Sequence, residues 1–331
     1  MINSYIKGIA HYVPEQVLTN EDLSKMMDTS DEWIRTRTGI QQRHTVGDSN
    51  MGPADLAAKA AELLITNHHI DKEDIDFVVF ATSTPDYFVP GSGSVFQNKL
   101  GLPNIGVLDI RQGCSGFTYA LTVADNFIKS GSYKNVLVVG AEVQTTQLDY
   151  DDQGRGTAVL FGDGAAACLV SNTKKQKGIL SSHLHTDGKY INELGTEYPS
   201  SRYKDIITPK KVEERKHHIQ MNGREVFKHA VRRFPEVILE GLKYNDLTTD
   251  DISLVIPHQA NYRITQAVQK QLNVPDDKIF SNIHKYGNTT AASIGIAMSE
   301  ALNQKLVKEG DIIVLASFGA GGYWGSVIIK W

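Results

Sequence analysis

Gly106-Val107-Leu108-Asp109-Ile110-Arg111-Gln112-Gly113-Cys114-Ser115-Gly116-Phe117-Thr118-Tyr119-Ala120 is the stretch around which the chain is organised. Its apolar run from Val107 to Ile110 predicts the end of a buried strand. A tight turn through Gly113, Cys114, Ser115 and Gly116 follows. Phe117, Ala120, Leu121 and Ala124 then recur at i, i+3, i+4 and i+7, the period of a helix. A cysteine is thereby set at or just before a helix N-terminus, between glycines that let the backbone turn sharply. Free backbone N–H groups and the positive end of the helix dipole predict a favoured thiolate there. A small buried thiol in an ordinary strand-to-helix connection has the same local pattern, so the chemistry depends on partners elsewhere.

Upstream, Tyr5–Tyr12 reads as a strand. Thr19-Asn20-Glu21-Asp22 caps a short helix through Met27, and Thr29-Ser30-Asp31-Glu32-Trp33 starts another that ends near Gly39. From Met51 to Asn67 runs an amphipathic helix. Phe77–Ala81 is a second buried strand, followed by a loop holding Pro85 and Pro90 and a helix over Ser92–Leu100. Downstream come a helix to Ser130 and a strand over Asn135–Gly140. Unbroken apolar strands alternating with helices predict a mostly parallel sheet covered on both faces.

After Ser171 the pattern starts again, with a helix from Asn222 to Tyr244. Asp251–Ile256 matches Asp74–Val79, and Gln269–Pro275 echoes Gln97–Pro103. The Gly113-Cys114 turn corresponds to Gly287-Asn288, and Asn135–Gly140 to Asp311–Ala316. Four matches in one order predict two copies of an α/β unit, residues 1–171 and 172–331.

The chain's 331 residues, 41% hydrophobic and 22% charged, suffice for one large core or two fused ones. A net charge of −4 gives no sign of a nucleic-acid or membrane partner. The opening MINSYIKGIAHYVPEQV lacks an apolar segment long enough for a signal peptide, and no run approaches a membrane span. The two cysteines, Cys114 and Cys168, provide no disulfide framework, which fits a reducing, cytoplasmic setting. Cys168 sits in the apolar run Ala165–Val170, as a buried strand residue would. The eleven histidines show no metal-ligand spacing, so no metal site is expected.

Leu254-Val255-Ile256-Pro257 is a strand whose end delivers His258, and a helix begins within Gln259–Ile264. Further on, His284–Ser293 is another glycine-marked turn, carrying Asn288, that leads into a helix of small residues. Cys114, His258 and Asn288 thus lie at carboxyl ends of inferred strands, where open α/β sheets hold their ligands. Two chemistries suit this set. In hydrolysis, the histidine deprotonates the thiol and the asparagine orients the imidazole. In carbon–carbon bond formation, the cysteine holds an acyl group while His258 and Asn288 donate to the thioester oxygen of a decarboxylating second substrate. An amide suits the second chemistry, because a carboxylate in its place would repel the enolate. The loop Ser317-Phe318-Gly319-Ala320-Gly321-Gly322 could offer a backbone N–H to an oxyanion, alongside that of Cys114.

The chain resembles β-ketoacyl-acyl-carrier-protein synthase III, a condensing enzyme of the thiolase superfamily, over essentially its whole length. The residues that carry the likeness are Thr29–Ile34, Thr36–Ile40, Cys114-Ser115-Gly116-Phe117, Phe161-Gly162-Asp163-Gly164, Pro257–Asn261, Gly287-Asn288-Thr289 and Trp324-Gly325-Ser326. The resemblance implies a five-layer αβαβα thiolase-like fold and a homodimer. It implies an acyltransferase that condenses an acyl-CoA primer with malonyl-acyl-carrier protein, with no permanently bound cofactor. Cys114 is then the acylated nucleophile, and His258 and Asn288 are the decarboxylation partners. Trp33 and Arg155 resemble the pair that sandwiches the adenine of coenzyme A, with Thr29 and Arg37 at the same entrance. Gly223, Ala260, Asn261 and Phe318 resemble residues along the pantetheine tunnel. Arg224, Lys228 and Arg232 recur along one helical face, and with Arg263 and Lys270 they form a basic stripe suited to an acidic carrier protein.

Some positions depart from the family pattern. Arg111-Gln112-Gly113 replaces small apolar residues before the nucleophile, and extra residues around Tyr150–Gly154 precede Arg155. Val89 stands where many members place a phenylalanine that closes the partner subunit's acyl pocket, which predicts room for a primer longer or more branched than acetyl. The segment from Gly195 to His218 is longer than expected and suits a mobile lid. Relatives in secondary-metabolite pathways, some of them pure acyltransferases, are the alternative function. A catalytically silent subunit would lose the nucleophile or a donor, and this chain keeps all three. A papain-like hydrolase would show C-G-[SA]-C-[WY] around its nucleophile, which is absent.

Overall fold

Apolar strands of this chain pair into two sheets that share a layer of helices between them. The computed structural model describes residues 2–331. In chain order come β1 (Asn3–Tyr12), β2 (Val17–Thr19), α1 (Asn20–Ser24), α2 (Asp31–Thr38), β3 (Gln42–His44) and α3 (Pro53–His68). Then follow β4 (Phe77–Ala81), α4 (Ser92–Leu100), β5 (Gly106–Ile110), α5 (Gly116–Lys129), β6 (Asn135–Glu142), α6 (Arg155–Ala158) and β7 (Gly164–Thr173). The chain continues through β8 (Gly178–Thr186), β9 (Leu194–Gly195), α7 (Pro209–Glu213), β10 (Gln220–Met221) and α8 (Gly223–Tyr244). It closes with β11 (Ile252–Pro257), α9 (Tyr262–Leu272), α10 (Ile283–Tyr286), α11 (Ser293–Asn303), β12 (Ile312–Gly319) and β13 (Tyr323–Lys330).

The first sheet has the order β1-β7-β6-β4-β5 and the second β11-β12-β13-β8. Alternation along the central strands explains their unbroken apolar runs. Phe77, Val79 and Ala81 face a core shared with α5 and α11, whereas Val78 and Phe80 face a core shared with α3 and α4. Ile313 and Leu315 likewise face the shared core, while Val314 and Ala316 pack toward α8 and α9. The layers are therefore helix, sheet, helix, sheet, helix, the five-layer thiolase-like α/β fold. Both faces of each sheet are covered, so neither face needs polar residues. Among the described residues, no helix is long and apolar enough to cross a membrane.

The repeat read in the sequence has a structural counterpart. β4 pairs in parallel with β6, and β11 with β12. β7 and β13 then add antiparallel to β6 and β12. Where β5 flanks β4 in the first sheet, the second has only an isolated bridge from Val255 to Ile279.

Three expectations are corrected. The sheets are mixed rather than mostly parallel, since β1 and β8 also add antiparallel. The strand leading to Cys114 is not a buried central one: β5 forms the edge of its sheet, and Leu108 is 37% exposed. The helix after Thr19 keeps its capping box but stops at Ser24, giving way to a turn through Lys25 and Met26 before Met27.

Candidate active site

The turn after β5 tightens into a short 3-10 segment, Gly113–Ser115, before α5 begins at Gly116. Gly113 has φ +51°, in the left-handed region that glycine enters at little cost. Cys114 is nearly buried. The backbone N–H groups of Ala320, beyond the end of β12, and of Cys114 itself act on the sulfur in the direction that favours a thiolate. A Cβ on Gly319 would sit 2.7 Å from that of Cys114, so only glycine lets the two backbones approach this closely.

His258 follows the last residue of β11, and its N–H donates to the Ala316 carbonyl (2.8 Å). Its Nδ1 lies 2.6 Å from the Ser293 hydroxyl at the start of α11. That hydroxyl also accepts the Gln259 N–H (3.4 Å), and when it gives its own proton to Nδ1 the imidazole proton sits on Nε2. Nε2 is buried and has no hydrogen-bond partner among the described residues.

Asn288 is held by its backbone, its N–H donating to Leu160 (2.8 Å) and its carbonyl accepting from Gly162 (3.1 Å). Its Oδ1 accepts the Thr290 N–H (2.9 Å), so the carboxamide is oriented with its NH2 group left to donate. Asn288 does not end a strand as expected: it follows the short helix α10 and Gly287, and a 3-10 segment, Thr290–Ala292, separates it from α11. Cys114, His258 and Asn288 all line one cavity of about 290 Å³.

The electrostatics correct one expectation. The Cys114 thiol is pushed up to about 12, chiefly by burial and next by the Glu142 carboxylate. The N–H groups that favour a thiolate are outweighed, and the resting group is a thiol. Burial lowers His258 to about 3, so its imidazole is neutral. Cys168, fully buried in β7, is also raised by burial and stands apart from the cavity.

The same cavity collects other residues singled out in the sequence. Trp33, Arg37, Gly223, Ala260, Asn261 and Phe318 all line it, as does Arg263. Ser30 caps α2 by accepting the Trp33 N–H, and Asn261 caps α9 by accepting the Arg263 N–H, which sets both at the rim. Arg155 lies not opposite an open slot but over the Trp33 ring, 5.1 Å from its centroid, and Arg37 also approaches that ring at 4.7 Å. Arg155 is anchored there by the Asp28 carbonyl (2.5 Å). Thr29, next to Asp28, has a buried hydroxyl without a partner.

Other residues are placed differently. Val89 is 80% exposed and outside the cavity. Lys228 pairs with Glu225 and Arg232 with Glu236, so only part of the basic stripe is free. Arg224, beside Gly223 at the start of α8, adjoins the cavity mouth, whereas Lys270 lies in the last turn of α9. The long segment after Gly195 contains α7, and Arg215 ties it to Asp149 and Asp151. Its flanks, Leu194 and Met221, line the cavity.

Sequence reasoning assigned no role to Ser293 or Glu142. The only signal for Glu142 was a carboxylate closing the apolar run Asn135–Ala141, and Ser293 was one small residue among several.

The family description "3-Oxoacyl-[acyl-carrier-protein (ACP)] synthase III" matches residues 108–188, and its C-terminal counterpart matches residues 242–331. The chain is 44% identical over 331 residues to the β-ketoacyl-[acyl-carrier-protein] synthase III of Caldanaerobacter subterraneus subsp. tengcongensis, covering 98% of this chain and 97% of that one. It is 44% identical over 326 residues to the protein of the same name from Clostridioides difficile, covering 98% of each. The crystal structure of 3-oxoacyl-[acyl-carrier-protein] synthase III from Aquifex aeolicus superposes with a TM-score of 0.90 at 40% identity, covering 99% of this chain and 100% of that one.

Proposed function

The chain belongs to the β-ketoacyl-[acyl-carrier-protein] synthase III family, and from that premise we propose that Cys114, His258 and Asn288 carry its chemistry. The protein is a condensing acyltransferase for the initiating condensation of fatty-acid synthesis. It makes a 3-oxoacyl-acyl-carrier protein from an acyl-CoA primer and malonyl-acyl-carrier protein.

In the first half-reaction the Cys114 sulfur attacks the primer thioester. The new carbon–sulfur bond replaces the one to coenzyme A, and the thiol proton leaves with the coenzyme A sulfur. The N–H groups of Cys114 and Ala320 would hold the transient oxyanion. In the second, the malonyl thioester oxygen accepts from His258 Nε2 and Asn288 Nδ2. Carbon dioxide departs, and the enolate carbon attacks the acyl-Cys114 carbonyl. The carbon–sulfur bond to Cys114 breaks, and the sulfur takes up a proton from solvent water to restore the thiol. Neutral donors suit this step, because a cation there would also bind and hold the carboxylate that must depart as carbon dioxide.

One observation carries this reading: a buried, unpartnered Nε2 lines the cavity of Cys114, beside a carboxamide whose oxygen is already bonded. Hydrolysis would need Asn288 to orient the imidazole, but that contact belongs to Ser293. No cofactor enters the scheme. The two halves, 1–171 and 172–331, each supply part of the site. Trp33, Arg37, Arg155 and Thr29 receive the coenzyme A adenine, Arg155 moving off the indole to admit it. Gly223, Ala260, Asn261 and Phe318 line the pantetheine arm. Arg224, Lys228, Arg263 and Lys270 face the carrier protein, with residues 195–218 closing over the entrance. A cytoplasmic homodimer formed through β5 would cover its free edge and the exposed Tyr87, Phe88 and Val89.

Mass spectrometry after incubation with acyl-CoAs of graded length tests the reading. An acyl mass on Cys114, including acyls longer or more branched than acetyl, is the expected result. Strict acetyl preference would remove the role given to Val89, and no acyl mass at all would leave a silent subunit.

A further inference from the structure

Glu142, the last residue of β6, is fully buried among hydroxyls and backbone N–H groups. Its Oε1 accepts from the Thr82 hydroxyl (2.8 Å), the Ser83 N–H (2.5 Å), and the Thr84 N–H (3.0 Å) and hydroxyl (3.2 Å). Its Oε2 accepts from the Ser83 hydroxyl (2.9 Å), the Thr290 hydroxyl and the Ala291 N–H (3.2 Å). No cation is among these partners; the charge is met by neutral donors alone. The first group belongs to the loop after β4, and Thr290 and Ala291 belong to the turn that carries Asn288.

Thr290 has φ +46°, in the left-handed region that a β-branched residue seldom enters. Such strain persists where the surroundings over-determine it, and it clusters at working sites. Here the restraint is the bond from the Thr290 hydroxyl to Glu142. The consequence is functional, because the N–H of this same residue fixes Asn288 Oδ1.

We propose that Glu142 is a positioning residue for decarboxylation, holding Thr290 in the conformation from which it aims the Asn288 carboxamide. This rests on the reading of Asn288 as a thioester donor. The carboxylate is suited to the task because both oxygens accept. A glutamine would keep its oxygen on the Ser83 and Thr84 N–H groups and turn its NH2 toward the Ala291 N–H, which cannot become an acceptor.

The test compares Glu142→Gln, Asn288→Ala and the double variant in two assays: acyl transfer onto Cys114 by mass, and carbon dioxide release from malonyl-acyl-carrier protein. In E142Q, release is expected to fall about 10- to 100-fold in kcat at unchanged KM, with acylation falling no more than about threefold, since loss of the Glu142 charge also eases the Cys114 thiol toward thiolate. In the N288A background the same change should alter release less than about threefold, since its effect runs through Asn288. Equal loss of both half-reactions in E142Q, or losses that multiply in the double variant, would overturn the proposal. N288A impaired with E142Q unimpaired would overturn it while sparing the reading of the site. Unimpaired release in N288A would remove that reading, and this proposal with it. Should E142Q not fold, Thr290→Val deletes only the hydroxyl bond. A selective loss of release then supports the proposal, and full release defeats it.

Discussion

The Cys114 turn and the Asn288 turn use one backbone device twice. Each has a glycine at positive φ, a 3-10 segment and then a central helix: Gly113 at +51° opens its 3-10 segment, and Gly287 at +64° stands three residues before its own. What differs is the support. Cys114 is confined by main chain, through the close approach of Gly319. Asn288 is aimed by Thr290, which in turn is held by a carboxylate from the other half of the chain. The difference follows from the work assigned to each. An oxyanion needs donors that cannot rotate away, which a backbone supplies. An amide donor needs its own oxygen occupied so that its NH2 group faces the substrate.

The largest effect expected is from Cys114→Ser, which removes the nucleophile. No acyl mass should appear on the protein, and an acylated variant would break the contrast at its root. Next, His258→Ala should lower carbon dioxide release by about 10²–10³-fold while sparing acylation, if the imidazole acts as one oxyanion donor. Gly319→Ala is the sharper probe of main-chain support. Its Cβ would meet Cys114 at 2.7 Å, and displacing the sulfur by a fraction of an ångström should slow acylation by about 10²-fold. Release should fall less, and equal loss in both would show that the two turns are not separately supported.

The smallest effect is in pH. With His258 lowered from 6.5 to about 3, the donor stays neutral through the mildly acidic range, and carbon dioxide release should show no inflection near pH 6.5 from this group. The sign for stability follows from the same shift. Between pH 6.5 and about 3 the unfolded chain binds the proton and the folded one does not, so stability is full above 6.5 and falls as the solution is acidified. Denaturant midpoints should therefore fall less steeply with acid in His258→Ala than in the parent. An identical slope would mean that the imidazole is not held neutral by burial.

Much of the site was legible because its signals are local. Glycines flank Cys114 and precede Asn288, His258 ends an apolar strand, and Trp33 sits in the first turn of a capped helix. Each can be read within a dozen residues. Glu142 was not legible in this way, since its partners lie about 60 residues before it and 148 after it. The β5 strand misled for a related reason: an apolar run looks the same whether a second strand covers its far side or its edge lies open.

By itself the sequence determined the repeated α/β unit, the order of its main strands and helices, and the three side chains proposed to run the condensation. Those follow from periodicity, punctuation by glycine and residue type, all carried along the chain. Only the tertiary structure decided the mixed direction of the sheets, the thiol state of Cys114, the tie between Ser293 and His258, and the carboxylate that reaches across to the Asn288 turn. Burial and charge depend on what distant segments bring to one point, and no local pattern records that.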